Sequence, residues 1–194
     1  RLALVGAFGY DLLFQFDPIQ LKLPRTETKD LHLFLCDDIC YMDRKREVIE
    51  RYQYDFSLEG LSTEGLDRTA AEIHPVASNA PNEIVADHAP NEYAAKVEKV
   101  RAGMKVGDYY EVVLRQTFSA GFEGSPSDLF RRVQEGSPSP YEFLLQFGDE
   151  QLIGASPEMF VRVEGRRVET CPISGTARHT GDPLIDHDLI RDLL

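Results

Sequence analysis

The residues whose types could do chemistry are concentrated in the segment CPISGT, residues 171–176. A predicted strand ends there, and Ser174, Gly175 and Thr176 follow with two hydroxyl groups and backbone N–H groups. Gly175 permits a tight turn and a close approach of a ligand, and backbone N–H groups in such a turn can hold a carboxylate. The same residue types also form an ordinary turn. Chemistry alone therefore leaves both a carboxylate site and a plain turn open.

A second set of reactive side chains, His32, Cys36 and Cys40, recurs at four-residue intervals. On one strand the outer two would lie about 26 Å apart, too far to ligate one ion. A helix would stack them, but LHLFLCDDIC is not helix-like and offers no evident fourth ligand. We therefore interpret the two cysteines as buried free thiols. No Ser/His/Asp set, P-loop or GxGxxG is present.

The composition limits the classes of molecule that this chain is expected to bind. The chain has 21 Lys and Arg against 33 Asp and Glu, a formal net charge of −12, which argues against nucleic acid and anionic membranes. An anionic small substrate stays open, because backbone N–H groups or a divalent cation can hold it. Three cysteines indicate a reducing compartment, and no apolar run approaches about 18 residues. We predict a cytoplasmic protein that binds neither nucleic acid nor membrane.

The elements that position these residues read as an α+β fold with antiparallel strands. Gly6 and Gly9 break the apolar opening run. Strands are predicted at 31–35 with an extension toward 42, and at 47–55, 109–118, 141–147, 151–155, 159–163 and 167–173. Turns are predicted at 43–45, 148–149 and 164–165. Helices are predicted to begin near Asn91 and end at Gly107, to begin at Ser125 with Pro126 as first residue, and to begin at Pro183.

Several long motifs make the chain resemble the chorismate-binding enzymes, and anthranilate synthase component I in particular. They are GDYYEVVLRQTFS (107–119), SPSPYEF (137–143) and GASPEMFVRVEGRRVETCPISGT (154–176). The opening VGAFGYDLLFQFDPI (5–19) and the strand LHLFLCDD (31–38) are similar to the preceding part of component I. The sequences of these motifs are most similar to those of forms fused to a glutamine amidotransferase.

The resemblance implies a fold of two facing antiparallel sheets with outer helices, here incomplete. It implies residues 1–56 as part of an N-terminal subdomain, 57–90 as a connector and 91–194 as the first half of the chorismate-binding core. The reaction implied is that of a lyase in tryptophan biosynthesis: Mg²⁺-assisted addition of ammonia to chorismate, then loss of pyruvate to give anthranilate. Ammonia would come from a glutamine amidotransferase domain or subunit.

Carried over by the resemblance, Gly175 and Thr176 contact the substrate, and Ser174 and Glu111 line the same pocket. Ser174 stands where the para-aminobenzoate branch often has Lys, and Glu111 stands where isochorismate synthases have Lys. Both departures favour ammonia as the nucleophile. A 2-amino-2-deoxyisochorismate synthase of phenazine-type pathways shares these features and is the alternative product assignment.

The resemblance also implies a tryptophan feedback loop at Ser137, Pro138, Ser139, Pro140, Tyr141 and Glu142. The family usually has Asn and Met where this chain has Ser137 and Glu142, which argues against inhibition by tryptophan.

The chain opens on Arg1 and ends at Leu194 within a helical pattern, so we expect a fragment. The catalytic residues and the Mg²⁺ ligands are expected beyond Leu194, and none of the metal ligands is expected in this chain. We therefore predict that the fragment alone is inactive and that the full-length protein is an oligomer. The competing hypothesis is a non-catalytic module that binds an amino acid or a partner.

Overall fold

The computed structural model describes residues 2–21, 24–25, 28–69, 75–77, 83–173 and 175–193. The chain divides into two units, one of residues 1–72 with 145–152 and the other of residues 73–144 with 153–194. The predicted organisation into residues 1–56, 57–90 and 91–194 stays a prediction.

The first unit is built from short hairpins. Its elements are β1 Leu4–Phe8, a 3-10 helix Tyr10–Gln15, β2 Leu31–Leu35, β3 Asp38–Asp43, β4 Val48–Gln53, β5 Ser57–Leu58 and β6 Leu61–Ser62. The strands pair antiparallel in order, β1 with β2, β3 with β4 and β5 with β6. The predicted extension of β2 toward Met42 is wrong as a single strand, because the chain changes its ladder partner from β1 to β4 after Cys36.

Gly6 and Gly9 break the opening run for two different reasons. Gly9 separates β1 from the 3-10 helix, and its N–H donates to the Asp30 carbonyl at 2.7 Å. Gly6 lies inside the β1–β2 ladder, where a Cβ would stand 2.0 Å from the His32 carbonyl oxygen. The close backbone approach at Gly6 therefore requires a residue without a side chain.

The β3–β4 turn is stabilised by its first residue. The Asp43 carboxylate accepts hydrogen bonds from the backbone N–H groups of Lys45 and Arg46, each at 3.0 Å. An aspartate that bonds its own backbone two or three residues on favours a turn over a continuing strand. The turn predicted at 43–45 is present but lies later, at residues 44–47.

Arg68 connects three parts of the first unit that are distant in sequence. Its guanidinium donates to the Asp37 carboxylate at 3.0 Å, to the Asp55 carboxylate at 2.6 Å, and to the carbonyls of Tyr54 and Thr63 at 2.9 and 3.3 Å. The Asp55 and Asp37 carboxylates raise the pKa of Arg68 above its usual value. The planar fork of arginine suits such a set of acceptors, which a lysine could not bond simultaneously.

We expect Arg68→Ala to loosen the β3–β4 hairpin, because the Asp37 and Asp55 carboxylates both lose their cation. The Tyr54 amide, which donates to the Asp37 carbonyl at 2.8 Å, should then exchange its hydrogen faster. Arg46→Ala is the matched control, since Arg46 is exposed and has one ion pair, at 3.8 Å to Asp43. Equal Tyr54 exchange rates in the two variants would contradict the role of Arg68.

The second unit contains all three α-helices of the described residues. In chain order the further elements of the chain are β7 Val76–Ala77, β8 Val85–Ala86, α1 Glu92–Val106, β9 Phe118–Ser119, β10 Glu123–Gly124, α2 Pro126–Gly136, β11 Tyr141–Phe147, β12 Glu150–Ser156, β13 Met159–Glu164, β14 Arg167–Cys171 and α3 Pro183–Leu193. Residues 145–147 of β11 and 150–152 of β12 belong to the first unit. β7 pairs with β10, β8 with β9 and β13 with β14, all antiparallel, and β11 neighbours β12. The predicted α+β class with antiparallel strands is confirmed.

The helix boundaries follow their sequence signals. α1 ends at Gly107, whose φ of 82° is the left-handed conformation that glycine adopts without strain. α2 begins with Pro126 after Ser125, although the Ser125 side chain makes no capping bond. α3 begins at Pro183 as predicted. None of the helices in the described ranges combines the length and the apolar character needed to cross a membrane.

The strand predicted at 109–118 is the main error in the secondary structure. Only Phe118–Ser119 belongs to a ladder, and residues 111–117 have no strand partner among the residues that the structure describes. The β-branched and aromatic residues of this stretch favour a strand, but a strand also needs a neighbour that accepts its hydrogen bonds.

Most hydrophobic side chains are at least partly accessible to solvent. In the part of the chain that the structure describes, no hydrophobic residue other than Pro126 is buried. A small cluster is formed in the first unit, where the rings of His32, Phe34 and Phe147 lie 4.6–5.7 Å apart. Most of the apolar surface of β13, β14 and α3 stays exposed.

Asp87 joins the start of α1 to β9. Its carboxylate accepts the Thr117 backbone N–H at 3.0 Å and bonds Nδ1 of His88. Nε2 of His88 lies 2.9 Å from the Lys96 ammonium on α1. The Thr117 N–H, followed by the His88 ring, lowers the pKa of Asp87 to about 2.

We expect these bonds to weaken only in strong acid. Because the folded pKa lies below the unfolded value of about 3.9, the stabilisation is complete above that value and is lost as the pH falls toward 2. A ¹³C titration of the Asp87 carboxyl carbon should have its midpoint near pH 2. Asp87→Asn should reduce the pH dependence of stability between about 4 and 2. A midpoint near 4 would contradict the assignment.

Candidate functional site

The β13–β14 hairpin delivers the CPISGT segment to its position. Its turn is Gly165-Arg166, one residue later than predicted, and Gly165 has a φ of 59°. The Arg162 guanidinium on β13 bonds the Glu169 carboxylate on β14 at 2.5 Å, where the two residues face each other in the ladder. The ladder ends where Met159 faces Cys171, so the segment leaves the hairpin at its open end.

Glu158 contacts the CPISGT segment where it leaves the ladder. Pro172 has no N–H to donate, and the next donor, the Ile173 N–H, bonds Oε1 of Glu158 at 3.4 Å. The Glu158 N–H in turn donates to the Ser156 hydroxyl at 3.2 Å. Glu158 is not among the candidates predicted from the sequence. The signal that would have found it is the antiparallel register, which places the residue before Met159 opposite the residue after Cys171.

Gly175 and Thr176 follow in an irregular, exposed stretch. A Cβ on Gly175 would lie 3.2 Å from a methyl group of Leu193, so the turn lies against the end of α3. Both predicted substrate contacts are exposed, and their role stays a prediction. Ser174, predicted to line the same pocket, lies outside the described residues.

The chain after Thr176 is held by Asp186 of α3. The Asp186 carboxylate accepts the Thr180 N–H at 2.8 Å, the Thr180 hydroxyl at 2.7 Å and the Gly181 N–H at 3.2 Å. The two Thr180 bonds are the main causes that lower the pKa of Asp186 below its usual value. A single carboxylate thus orients the connection between the candidate turn and α3.

Glu111 is exposed in the stretch without a ladder partner. Within the described residues, no hydrogen bond or ion pair joins it to Gly175 or Thr176. The structure therefore places the neighbouring residues Gly175 and Thr176 in one irregular stretch and leaves the grouping of Glu111 with them as a prediction.

The predicted regulatory loop begins after α2 and runs into β11. Oε1 of Glu142 accepts the Ser139 N–H at 3.1 Å, and Oε2 accepts the Gln134 amide at 2.6 Å. The Ser139 hydroxyl donates to the Ser137 carbonyl at 3.1 Å. The Gln134 amide and then the Ser139 N–H lower the pKa of Glu142. Glu142, one of the two residues that depart from the family pattern, therefore holds the loop across Pro138 and Pro140 to Tyr141.

Histidine and cysteine side chains do not converge on a metal site. His32 lies on β2 and Cys40 on β3, and no three His, Cys, Asp or Glu side chains in the described ranges could hold one ion. The interpretation of Cys36 and Cys40 as buried thiols is wrong, because Cys36 is half-buried and Cys40 is exposed. Cys40 is the third residue of β3 in the two-stranded β3–β4 ladder, and its side chain is exposed there.

Comparison with known proteins places the chain in one family. Residues 1–194 match the family described as chorismate binding enzyme. The chain is 43% identical over 195 residues to a protein named anthranilate synthase from Azospirillum brasilense. It is 29% identical over 215 residues to anthranilate synthase component 1 from Acetivibrio thermocellus.

A solved structure shows the same fold. The chain matches the crystal structure of anthranilate synthase component I from Streptococcus pneumoniae TIGR4 with a TM-score of 0.65 and 29% identity, over 86% of this chain and 41% of that one. The matches cover 100% and 98% of this chain but 26% of the Azospirillum protein and 42% of the Acetivibrio protein. Since the family match extends over every residue from the β1–β2 ladder to α3, this chain belongs to the chorismate-binding enzyme family.

Proposed function

We propose that this chain is part of an anthranilate synthase, which adds ammonia to chorismate and eliminates pyruvate to give anthranilate. The 43% identity across the whole chain to a protein of that name carries the proposal. The product would feed tryptophan biosynthesis, and we place the enzyme in the cytoplasm. We propose the domain organisation predicted from the sequence, with residues 1–56 as part of an N-terminal subdomain, 57–90 as a connector and 91–194 as the first half of the core.

The candidate turn would bind a carboxylate of chorismate. Gly175 offers a backbone N–H without a side chain in the way, and Thr176 offers a hydroxyl. Ser174 and Glu111 would line the same pocket. Glu158 would position the turn, because its carboxylate bonds the Ile173 N–H. Hydrogen bonds to an ionised group are roughly twice as strong as neutral ones, so two donors on one turn provide a usable anchor.

A divalent cation would complete the site. Chorismate is a dianion, whereas this chain has a net charge of −12, so a cation beside the substrate would reduce the repulsion. The described residues do not fit a metal site, since no three ligating side chains converge. We therefore propose Mg²⁺ as the cofactor, with ligands outside this chain.

The full-length protein tests the function directly. It should be incubated with chorismate, Mg²⁺ and ammonium while anthranilate is followed by its fluorescence and the product by mass. Anthranilate would support the proposal. An accumulating ammonia adduct that keeps the pyruvyl group would replace it with 2-amino-2-deoxyisochorismate synthesis. No turnover with metal and ammonium present would favour a binding module.

Glutamine is the proposed source of ammonia, through an amidotransferase domain or subunit. The same assay with glutamine in place of ammonium distinguishes the two routes. Turnover with glutamine only after the amidotransferase is added would identify a separate subunit, whereas turnover without that addition would identify a fused domain.

We expect weak inhibition by tryptophan, because Glu142 occupies the Ser139 N–H in the regulatory loop. Ser137→Asn together with Glu142→Met should free this donor and lower the apparent inhibition constant at least about tenfold, equivalent to 1.4 kcal/mol. Glu142→Gln is the control, since its amide oxygen can still accept the Ser139 N–H. Strong inhibition of the unmodified enzyme would contradict the expectation.

A further inference from the structure

Helix α3 contacts the chain that follows CPISGT near both of its ends. A Cβ on Gly175 would lie 3.2 Å from a methyl group of Leu193, the last residue of α3. The Thr180 N–H and hydroxyl bond the Asp186 carboxylate in the first turn at 2.8 and 2.7 Å, and the Gly181 N–H bonds it at 3.2 Å. The chain therefore runs back along α3, from its last turn toward its first.

The hold on the helix side is stronger than the hold on the hairpin side. On the hairpin side, the Ile173 N–H bonds Glu158 at 3.4 Å, which is beyond the usual range of about 2.7–3.2 Å. Asp186 instead accepts three donors, the most distant of them at 3.2 Å. Within the described ranges Thr176 has no hydrogen bond of its own, so its position depends on these neighbouring contacts.

The start of α3 does not need Asp186 as a cap. The Asp182 carboxylate accepts the Leu184 N–H at 2.9 Å and the Ile185 N–H at 3.4 Å, as an N-cap side chain does. The Asp186 side chain is only 18% exposed, and it also faces Nε2 of His179 at 3.5 Å. The side-chain hydrogen bonds of Asp186 therefore hold the preceding segment and not the helix.

We propose that Asp186 is a positioning residue for chorismate binding: it lays residues 175–181 along α3 and so places the Gly175 N–H and the Thr176 hydroxyl for a carboxylate. The inference rests on the proposed function and deepens it, because both donors are assigned to the substrate there. A donor bonds an oxygen only within about 3.2 Å, so a small shift of the segment removes the contact. Asp186 itself does not touch the substrate, since donors of this chain occupy its oxygens.

Asp186→Ala in the full-length enzyme removes the acceptors. We expect KM for chorismate to rise about tenfold while kcat stays within about twofold, because a misplaced carboxylate contact weakens substrate and transition state alike. Asp186→Asn should restore KM to within about threefold of the unmodified enzyme, since its amide oxygen can still accept both Thr180 bonds. An unchanged KM in Asp186→Ala would overturn the proposal.

Two nearby aspartates separate positioning from stability. Asp188 is 63% exposed and pairs with Arg191 of α3 at 3.3 Å, so Asp188→Ala should leave KM unchanged. Asp182→Ala removes the cap and should lower the stability of the enzyme to denaturant without raising KM. An equal rise of KM in Asp182→Ala and Asp186→Ala would show that helix stability explains the effect, and would overturn the proposal.

A double-mutant cycle places the effect at the proposed donors. If Asp186 acts through Thr176, Asp186→Ala should lower kcat/KM at most about threefold in the Thr176→Val background, against about tenfold in the unmodified enzyme. A full tenfold loss in both backgrounds would overturn the proposal, because Asp186 would then act independently of the hydroxyl.

Hydrogen exchange of the full-length protein tests the positioning without turnover. The amides of residues 175–181 should exchange at least about tenfold faster in Asp186→Ala than in Asp188→Ala. Faster exchange in a protein that forms no anthranilate would count against the proposed function alone. Anthranilate formation with equal exchange in the two variants would overturn the positioning role alone.

Discussion

Gly6→Ala is expected to destabilise the β1–β2 hairpin by about 3 kcal/mol, at the upper end of the usual cost of overpacking. The new methyl group would stand 2.0 Å from the His32 carbonyl oxygen and 2.9 Å from the Leu33 Cα. Both neighbours are backbone atoms in a ladder, so neither can rotate away as a flexible side chain would. The two strands would have to separate at their centre, where Gly6 faces Leu33.

Denaturant unfolding and the exchange rates of the Leu31–Leu35 amides measure this effect. Gly136→Ala is the matched control, because a Cβ at the last residue of α2 meets nothing within 4 Å. That substitution should be neutral or stabilise by up to about 1 kcal/mol through helix propensity. If both variants unfold at the same denaturant concentration, the close approach at Gly6 is not present in solution.

Thr176→Val in the full-length enzyme should lower kcat/KM for chorismate about 10- to 100-fold. Valine keeps the shape of threonine but removes the hydroxyl. The loss of a hydrogen bond to a charged group costs about 1.5–3 kcal/mol, and each 1.4 kcal/mol corresponds to a factor of ten. Since Thr176 is exposed in an irregular stretch, the fold itself should not change.

Thr170→Val is the control for this prediction. Thr170 lies on β14 shortly before the turn, and its hydroxyl donates to the Phe160 carbonyl at 2.7 Å. The substitution removes a hydroxyl from the same hairpin but none from the proposed substrate turn, so kcat/KM should stay within about twofold, the size of a minor structural effect. If the two variants lose activity equally, Thr176 acts through the hairpin and not through chorismate.

Elements with local signals could be predicted from the sequence. Gly107 ends α1 because only a residue without a side chain adopts its left-handed conformation freely. Pro126 begins α2 because a first-turn residue needs no N–H partner. The β11–β12 turn at Gly148-Asp149 lies where it was predicted, with Gly148 at a φ of 70°. Each of these signals acts within a few residues.

The candidate site also has features that depend on local sequence and features that depend on contacts between distant residues. The order of residues from β13 to the CPISGT segment is local, and the hairpin that carries it lies within two residues of its predicted position. The Glu158–Ile173 contact joins residues 15 positions apart, and the Arg68–Asp37 contact joins residues 31 apart. Such contacts depend on register and on the return of the chain, which no short pattern encodes.

The sequence by itself determined where the three α-helices and the β11–β12 hairpin lie, and it singled out CPISGT as the candidate carboxylate-binding segment. Only the tertiary structure decided which strands find partners. Residues 111–116 show the difference, because their composition favours a strand while the ladder beside them ends at Asp87. The physical reason is that a helix satisfies its hydrogen bonds within its own segment, whereas a strand needs another segment to satisfy them.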